Sequence, residues 1–161
     1  NGCDYIRFKN ITFNTLSPTY GTVFYSLGPI TNWTLEGNTM NGSAGNSTSG
    51  NHRMNSGAGT SRPKGTIKMI DNNINNFSIA ISIGGSTYQD GADSLFIKDN
   101  IIYATSTGLD VYWAKYVEVT NNEFHKSGLT SNILWYQALN NNVNFVSFGL
   151  VFNDNIIRFK F

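Results

Sequence analysis

The sequence predicts an all-β solenoid, a chain that winds short strands into stacked coils. Three observations predict it. An apolar–polar alternation recurs and ends each time at a turn-forming residue followed by Asn. Amides and hydroxyls dominate the polar residues. No convincing amphipathic helix occurs anywhere in the chain.

The recurrence is anchored on Asn38, Asn72, Asn100, Asn122 and Asn155. Five residues before each anchor stand Trp33, Ile67, Leu95, Val117 and Leu150. Three before stand Leu35, Met69, Ile97, Val119 and Phe152, and two after stand Met40, Ile74, Ile102, Phe124 and Ile157. These columns are wholly apolar. The one between the first two is mixed: Thr34, Lys68, Phe96, Glu118 and Val151. Such alternation marks a strand with one face inside and one outside. Immediately before the anchors come Gly37, Asp71, Asp99, Asn121 and Asp154, all turn formers. A sixth, imperfect copy opens the chain in IRFKNITF, where Ile6, Phe8 and Phe13 fit the apolar columns. There Ile11 replaces the anchor Asn, and Asn10 precedes it.

The anchors are 34, 28, 22 and 33 residues apart. The shortest interval reads as the bare unit and the others as units with inserts. The largest insert, 42–65, is rich in Gly, Ser and Asn, with too few apolar residues to pack. A second is Gly84–Asp93. A third, His125–Asn142, holds enough apolar side chains for a strand of its own. Between anchors lie further strand-like runs at Ser78–Gly84, Gly108–Ala114 and Gly21–Ser26.

Composition bounds the function. The chain of 161 residues is a single domain, 1–161, or a segment of a longer one. Its net charge of +1, with 13% charged residues, lacks the basic field of a nucleic-acid binder. No apolar run reaches the ~18 residues of a membrane span. The polarity comes from 23 Asn, with many Ser and Thr, which compete with the helical backbone and favour turns. The opening NGCDY, without Met or a secretory apolar stretch, is expected of a processed product or excised segment. Cys3 is a lone cysteine: a free thiol, an intermolecular partner, or half of a pair whose mate lies elsewhere. Sequons stand at Asn10, Asn32, Asn41, Asn46 and Asn76, several by chance in so Asn-rich a chain.

A unit of this size cannot bury its own apolar face, so units stack and share a core. Parallel stacking, at about 4.8 Å per coil, places like residues on like residues. Asn suits the resulting corner because it tolerates left-handed backbone and its amide bonds to its neighbour in the ladder. A β-sandwich is the main rival, and it does not explain the Asn column. A left-handed solenoid would show a hexapeptide period, which is absent.

The pattern φ-x-φ-x-[DN]-N-x-φ (φ apolar), best seen in GLDVYWAKYVEVTNNEF, resembles the right-handed parallel β-helix proteins from Tyr5 to Ile157. These form the pectate-lyase-like superfamily, with periplasmic copper-centre-assembly-type repeats and phage tailspikes. The resemblance implies a right-handed parallel β-helix of about five to six coils with inserted loops. It also implies chemistry on acidic polysaccharides: lyases use an Arg or Lys base, often with Ca²⁺ on acidic residues, and hydrolases use clustered carboxylates.

Few residues answer to that chemistry. Asp71 and Asp99 share a column on successive coils and are the candidates for Ca²⁺, the only cofactor implied and only for a lyase. The plainer reading is a good corner, since the column also accepts Gly37 and Asn121. Asp110 and Glu118 are expected to face outward from one coil as an acid/base pair. Lys115, His125 and Lys126, with His52 and Arg53 in the long insert, are candidate bases, and ordinary surface charge is the plainer reading. Neither His has metal-ligand spacing, and no nucleotide-binding or nucleophile-elbow motif occurs. Tyr112, Trp113, Trp135 and Tyr136 are candidate platforms for sugar rings. Tyr112 is expected outward if Val111 is inward, and Tyr136 outward if Ile133 and Trp135 are inward. Aromatic packing along the sheet is the equal alternative.

A solenoid exposes an open coil at each end. With no helical cap in the sequence, further copies of the chain or flanking coils are the expected cover. Arg7, Lys9, Arg158 and Lys160 put like charge near both ends, partly offset by Asp4 and Asp154. The first expectation is therefore an extracellular structural or adhesive β-helix: a fibre, filament or tailspike-like segment. A polysaccharide lyase or glycoside hydrolase fragment comes second, with its groove near Asp110, Tyr112, Lys115 and His125. A non-catalytic glycan-binding module comes third. Polysaccharide is the partner in the last two, and neither nucleic acid nor membrane insertion is expected.

Overall fold

The computed structural model describes residues 3–16, 22–26, 30–43, 55–57, 64–83, 92–112, 114–127, 134–137 and 149–159. In chain order the strands are β1 (Cys3–Lys9), β2 (Thr12–Asn14), β3 (Phe24–Ser26), β4 (Ile30–Glu36) and β5 (Thr39–Asn41). Next come β6 (Asn55–Gly57), β7 (Lys64–Ile70), β8 (Asn73–Ile83), β9 (Ser94–Lys98) and β10 (Ile101–Tyr112). Last are β11 (Tyr116–Thr120), β12 (Glu123–Lys126), β13 (Leu134–Gln137), β14 (Gly149–Asn153) and β15 (Ile156–Phe159). The described residues include no helix.

The strands form two large parallel sheets. The first runs β1-β4-β7-β9-β11-β14 and the second β15-β12-β10-β8-β5-β2. A third, two-stranded sheet pairs β3 with β6, and β13 pairs with β10. All these pairings are parallel, so the chain passes repeatedly between the sheets and lays each strand on its equivalent one repeat away. The architecture is all-β and solenoid-like.

The register lines are the apolar columns of the sequence. In the first sheet Ile6, Trp33, Ile67, Leu95, Val117 and Leu150 are successive partners, as are Phe8, Leu35, Met69, Ile97, Val119 and Phe152. In the second, Phe13, Met40, Ile74, Ile102, Phe124 and Ile157 stack in turn. The middle members of all three lines are buried and form one core.

The anchor asparagines form a continuous ladder at the corner. The backbone N–H and Nδ2 of Asn72 both donate to Asn100 Oδ1, at 2.9 Å each. Asn38 donates likewise to Asn72, Asn100 to Asn122, and Asn122 to Asn155. Each Nδ2 also donates to a strand carbonyl one layer back: Phe8, Leu35, Met69, Ile97 and Val119 in order. Asn38, Asn72, Asn100 and Asn122 are buried, and the ladder satisfies polar groups that would otherwise lose water without replacement. At the imperfect copy, Ile11 enters the ladder only through its backbone N–H, which donates to Asn38 Oδ1.

The left-handed backbone falls on the turn-forming column before each anchor, not on the ladder Asn itself. Asn10, Gly37, Asp71, Asp99, Asn121 and Asp154 have φ between 53° and 61°, so the residue before the anchor makes the turn. Short side chains and Gly are the types that tolerate this conformation, which explains the composition of that column. Within insert 42–65, residues 55–57 pair with β3 as β6, which needs no apolar side chain. One expectation needs correcting. The runs at Ser78–Gly84 and Gly108–Ala114 are not separate strands, since β8 and β10 continue into them across bulges. The strand expected in the third insert is present as β13.

The β14–β15 layer differs from those beneath it. Leu150, Phe152 and Ile157 are 51%, 44% and 38% exposed, whereas Val117, Val119 and Phe124 in the same columns are at most 1% exposed.

Candidate functional site

The outward column three residues after each anchor changes character along the second sheet. Asn14, Asn41 and Asn75 form an outer amide ladder: Asn41 Nδ2 donates to Asn14 Oδ1 at 2.9 Å, and Asn75 Nδ2 to Asn41 Oδ1 at 3.1 Å. A bulge follows. Ile74 pairs with Ile102 and Phe77 with Ala104, so Asn75 and Asn76 together oppose Tyr103, with Asn76 at φ 59°. Gly42 packs against the bulge, and a Cβ there would clash with the Asn76 carbonyl oxygen. Beyond the bulge the column continues as Tyr103, His125 and Arg158. The Tyr103 and His125 rings stack with centroids 4.2 Å apart and planes 12° apart.

Where β12 and β15 end, β10 runs on, and a cleft of about 440 Å³ opens at this step. The outward Tyr103, His125 and Arg158 reach it, as do Lys126 and Phe159 from the alternate strand positions. Asn76, Thr105 and Ser127 add an amide and two hydroxyls. Lys126 is almost wholly buried, while Arg158 and Phe159 are exposed. Glu123 adjoins the cleft: its Oε1 accepts a hydrogen bond from Arg158 Nε at 2.7 Å and lies 3.0 Å from His125 Nε2. That nitrogen is buried and not aligned for a hydrogen bond with the carboxylate.

The structure distributes the sequence candidates rather than gathering them. Asp110 is buried, contrary to the outward expectation, because Leu109, Asp110 and Val111 are covered on both faces of β10. Ser82 Oγ donates to its Oδ2 at 3.4 Å. Glu118 lies in the other sheet, on β11, so the two carboxylates do not share a strand face. Its partners are Lys98 Nζ at 2.5 Å and the Tyr116 hydroxyl, which donates at 3.2 Å. Lys98 holds the Glu118 carboxyl below its ordinary range, while partial burial and then Glu118 push the Tyr116 phenol up. Lys115 pairs with Asp93 at 2.5 Å. Among the described candidates, only His125 and Lys126 meet in one cleft.

Asp71 and Asp99 are exposed corner residues, and no three His, Cys, Asp or Glu cluster as a metal site among the described residues. Val111 is buried, but the side chains of Tyr112, Trp135, Tyr136 and Cys3 lie outside the described residues. So do Trp113, His52, Arg53, Lys160 and Asn46 entirely. Of the other sequons, Asn10 and Asn76 are exposed, Asn32 Oδ1 accepts from the Thr66 N–H, and Asn41 belongs to the outer ladder. Tyr103 and Arg158 were not foreseen. Aligning the outward position three after each anchor, as was done for the inward ones, would have found them.

Comparison with family models, curated proteins and solved structures finds no match. No helix among the described residues is long and apolar enough to cross a membrane.

Proposed function

We propose that the chain is an extracellular right-handed parallel β-helix of five to six coils, structural or adhesive in role, that assembles through its coil edges. The observation that carries this reading is the outer layer, where the apolar columns persist in register yet stand open at Leu150, Phe152 and Ile157. Val151, Ile156 and Phe159 extend the exposed apolar surface. β14 and β15 are edge strands, whose unpaired backbone groups are a template for another layer. The partner is a further layer of the same repeat, from a second copy or from flanking coils. Of the end charges that are described, Arg7 and Lys9 are both paired with Glu36, and Arg158 with Glu123. Sedimentation of the isolated chain across concentrations tests the reading. A mass above 17.8 kDa that falls on dilution agrees with assembly between copies, and a monomer at every concentration contradicts it and leaves only flanking coils as the cover.

The outer amide ladder favours a second reading, a non-catalytic glycan-binding surface. In Asn41 each amide atom shown bonding to a neighbouring Asn keeps capacity for another partner, and sugar hydroxyls suit it. Loss of glycan-array binding in an Asn41→Ala, Asn75→Ala chain supports this reading, and unchanged binding removes it. The lyase or hydrolase alternative gains no such support, because Asp110 is buried and Glu118 and Lys115 are engaged in ion pairs.

A further inference from the structure

The cleft at the step between β10 and the shorter β12 and β15 has a chemistry that neither stacking nor the amide ladder uses. The Arg158 guanidinium, a permanent cation, reaches it, as does Lys126, and no Asp or Glu stands among its described lining residues. Glu123 takes one guanidinium donor, through Arg158 Nε, and a guanidinium carries five in a fork suited to a carboxylate. The apolar side is equally defined. Phe159 is exposed, and the stacked Tyr103 and His125 rings hold each other in place. A volume of about 440 Å³ lies in the range of small-molecule sites. The hydroxyls of Thr105 and Ser127 and the Asn76 amide supply neutral hydrogen-bonding groups.

We propose that this cleft binds a small cyclic carboxylate. Its carboxylate pairs with the Arg158 guanidinium, and its ring lies against Phe159 and the edge of the Tyr103–His125 stack. Both sugar acids and aromatic acids have this chemistry. The site goes beyond assembly through the coil edges and is tested separately from it.

The experiment is titration calorimetry on the whole chain with four probes: glucuronate, benzoate, glucose and inorganic phosphate. Glucuronate or benzoate should bind at least tenfold more tightly than glucose and than phosphate, and the tighter of the two identifies the ring type. Arg158→Gln should weaken that binding at least tenfold with an unchanged unfolding midpoint, since Arg158 is exposed. Equal binding of glucose overturns the role of the carboxylate. Equal binding of phosphate overturns the role of the ring, and binding of none of the four overturns the site. Should Arg158→Gln not fold, chemical-shift mapping of the wild-type chain decides. Shifts centred on Tyr103, His125 and Phe159 support the site, and shifts elsewhere contradict it.

Discussion

The β11–β12 layer and the β14–β15 layer follow one sequence pattern, and they differ in cover. Val117, Val119 and Phe124 have a neighbour layer on both sides and are buried. Among the described strands, Leu150, Phe152 and Ile157 have one on a single side, and remain between about a third and a half exposed. The comparison teaches that a column residue is worth what lies on both sides of it. Stability is therefore concentrated in the middle layers, and the outer layer retains apolar surface that a further layer could bury.

The largest effects should fall on core volume. Phe124→Ala should cost about 3–5 kcal/mol in urea unfolding, because the cavity is walled on both sides. Phe152→Ala, half exposed, should cost less than about 1.5 kcal/mol in the monomer. Equal losses at the two positions would break the comparison.

The ladder should show the same asymmetry on a smaller scale. Asn100→Leu orphans the buried Asn72 N–H and the Met69 carbonyl, and should cost about 3 kcal/mol. Asn155→Leu removes an acceptor at a half-open position where water can substitute, and should cost about 1 kcal/mol. Corner strain should not follow cover at all. Asp99 and Asp154 both have positive φ and exposed side chains, so Asp→Ala at either should cost about 1–2 kcal/mol. Asp→Asn or Asp→Gly should be nearly neutral at both sites. A clear difference between the two corners would mean that neighbouring layers act on the turn itself.

The smallest effect is electrostatic. Glu118 is held deprotonated first by its hydrogen bond to Lys98, and Val151 occupies the equivalent place in the outer layer. Its folded-state pKa is depressed. Its contribution is therefore fully present above the unfolded carboxylate pKa of about 4.3, and is lost as pH falls through the lower folded value. Unfolding midpoints of wild type and Glu118→Gln should differ at pH 7 and converge in acid. Glu36, lowered by Lys9 and then Arg7, should behave in the same sense.

The fold was legible because parallel stacking repeats side-chain environments at fixed positions. Leu95, Ile97 and Ile102 are inward, while Phe96 and Lys98 are half-buried on the other face, as alternation requires. The left-handed corner was legible as a preference for Asp, Asn and Gly in the column before each anchor. Pairing of β6 was hidden because backbone pairing leaves little trace in composition. The cleft was hidden for another reason. Its residues come from four strands, and outward positions carry no common apolar mark. His125 and Lys126 were noticed for their own chemistry, whereas Tyr103 and Arg158 gain meaning only through register. Asp110 was misjudged because alternation predicts one open face, and that part of β10 has none.

Hydrogen exchange at the outer layer, followed over protein concentration, tests the central claim most directly. If the open columns take a further layer, the amides of Leu150, Phe152 and Ile157 should exchange more slowly as concentration rises, while those of Val117, Val119 and Phe124 stay slow throughout. Exchange at the outer layer that is fast and independent of concentration would contradict assembly through this edge.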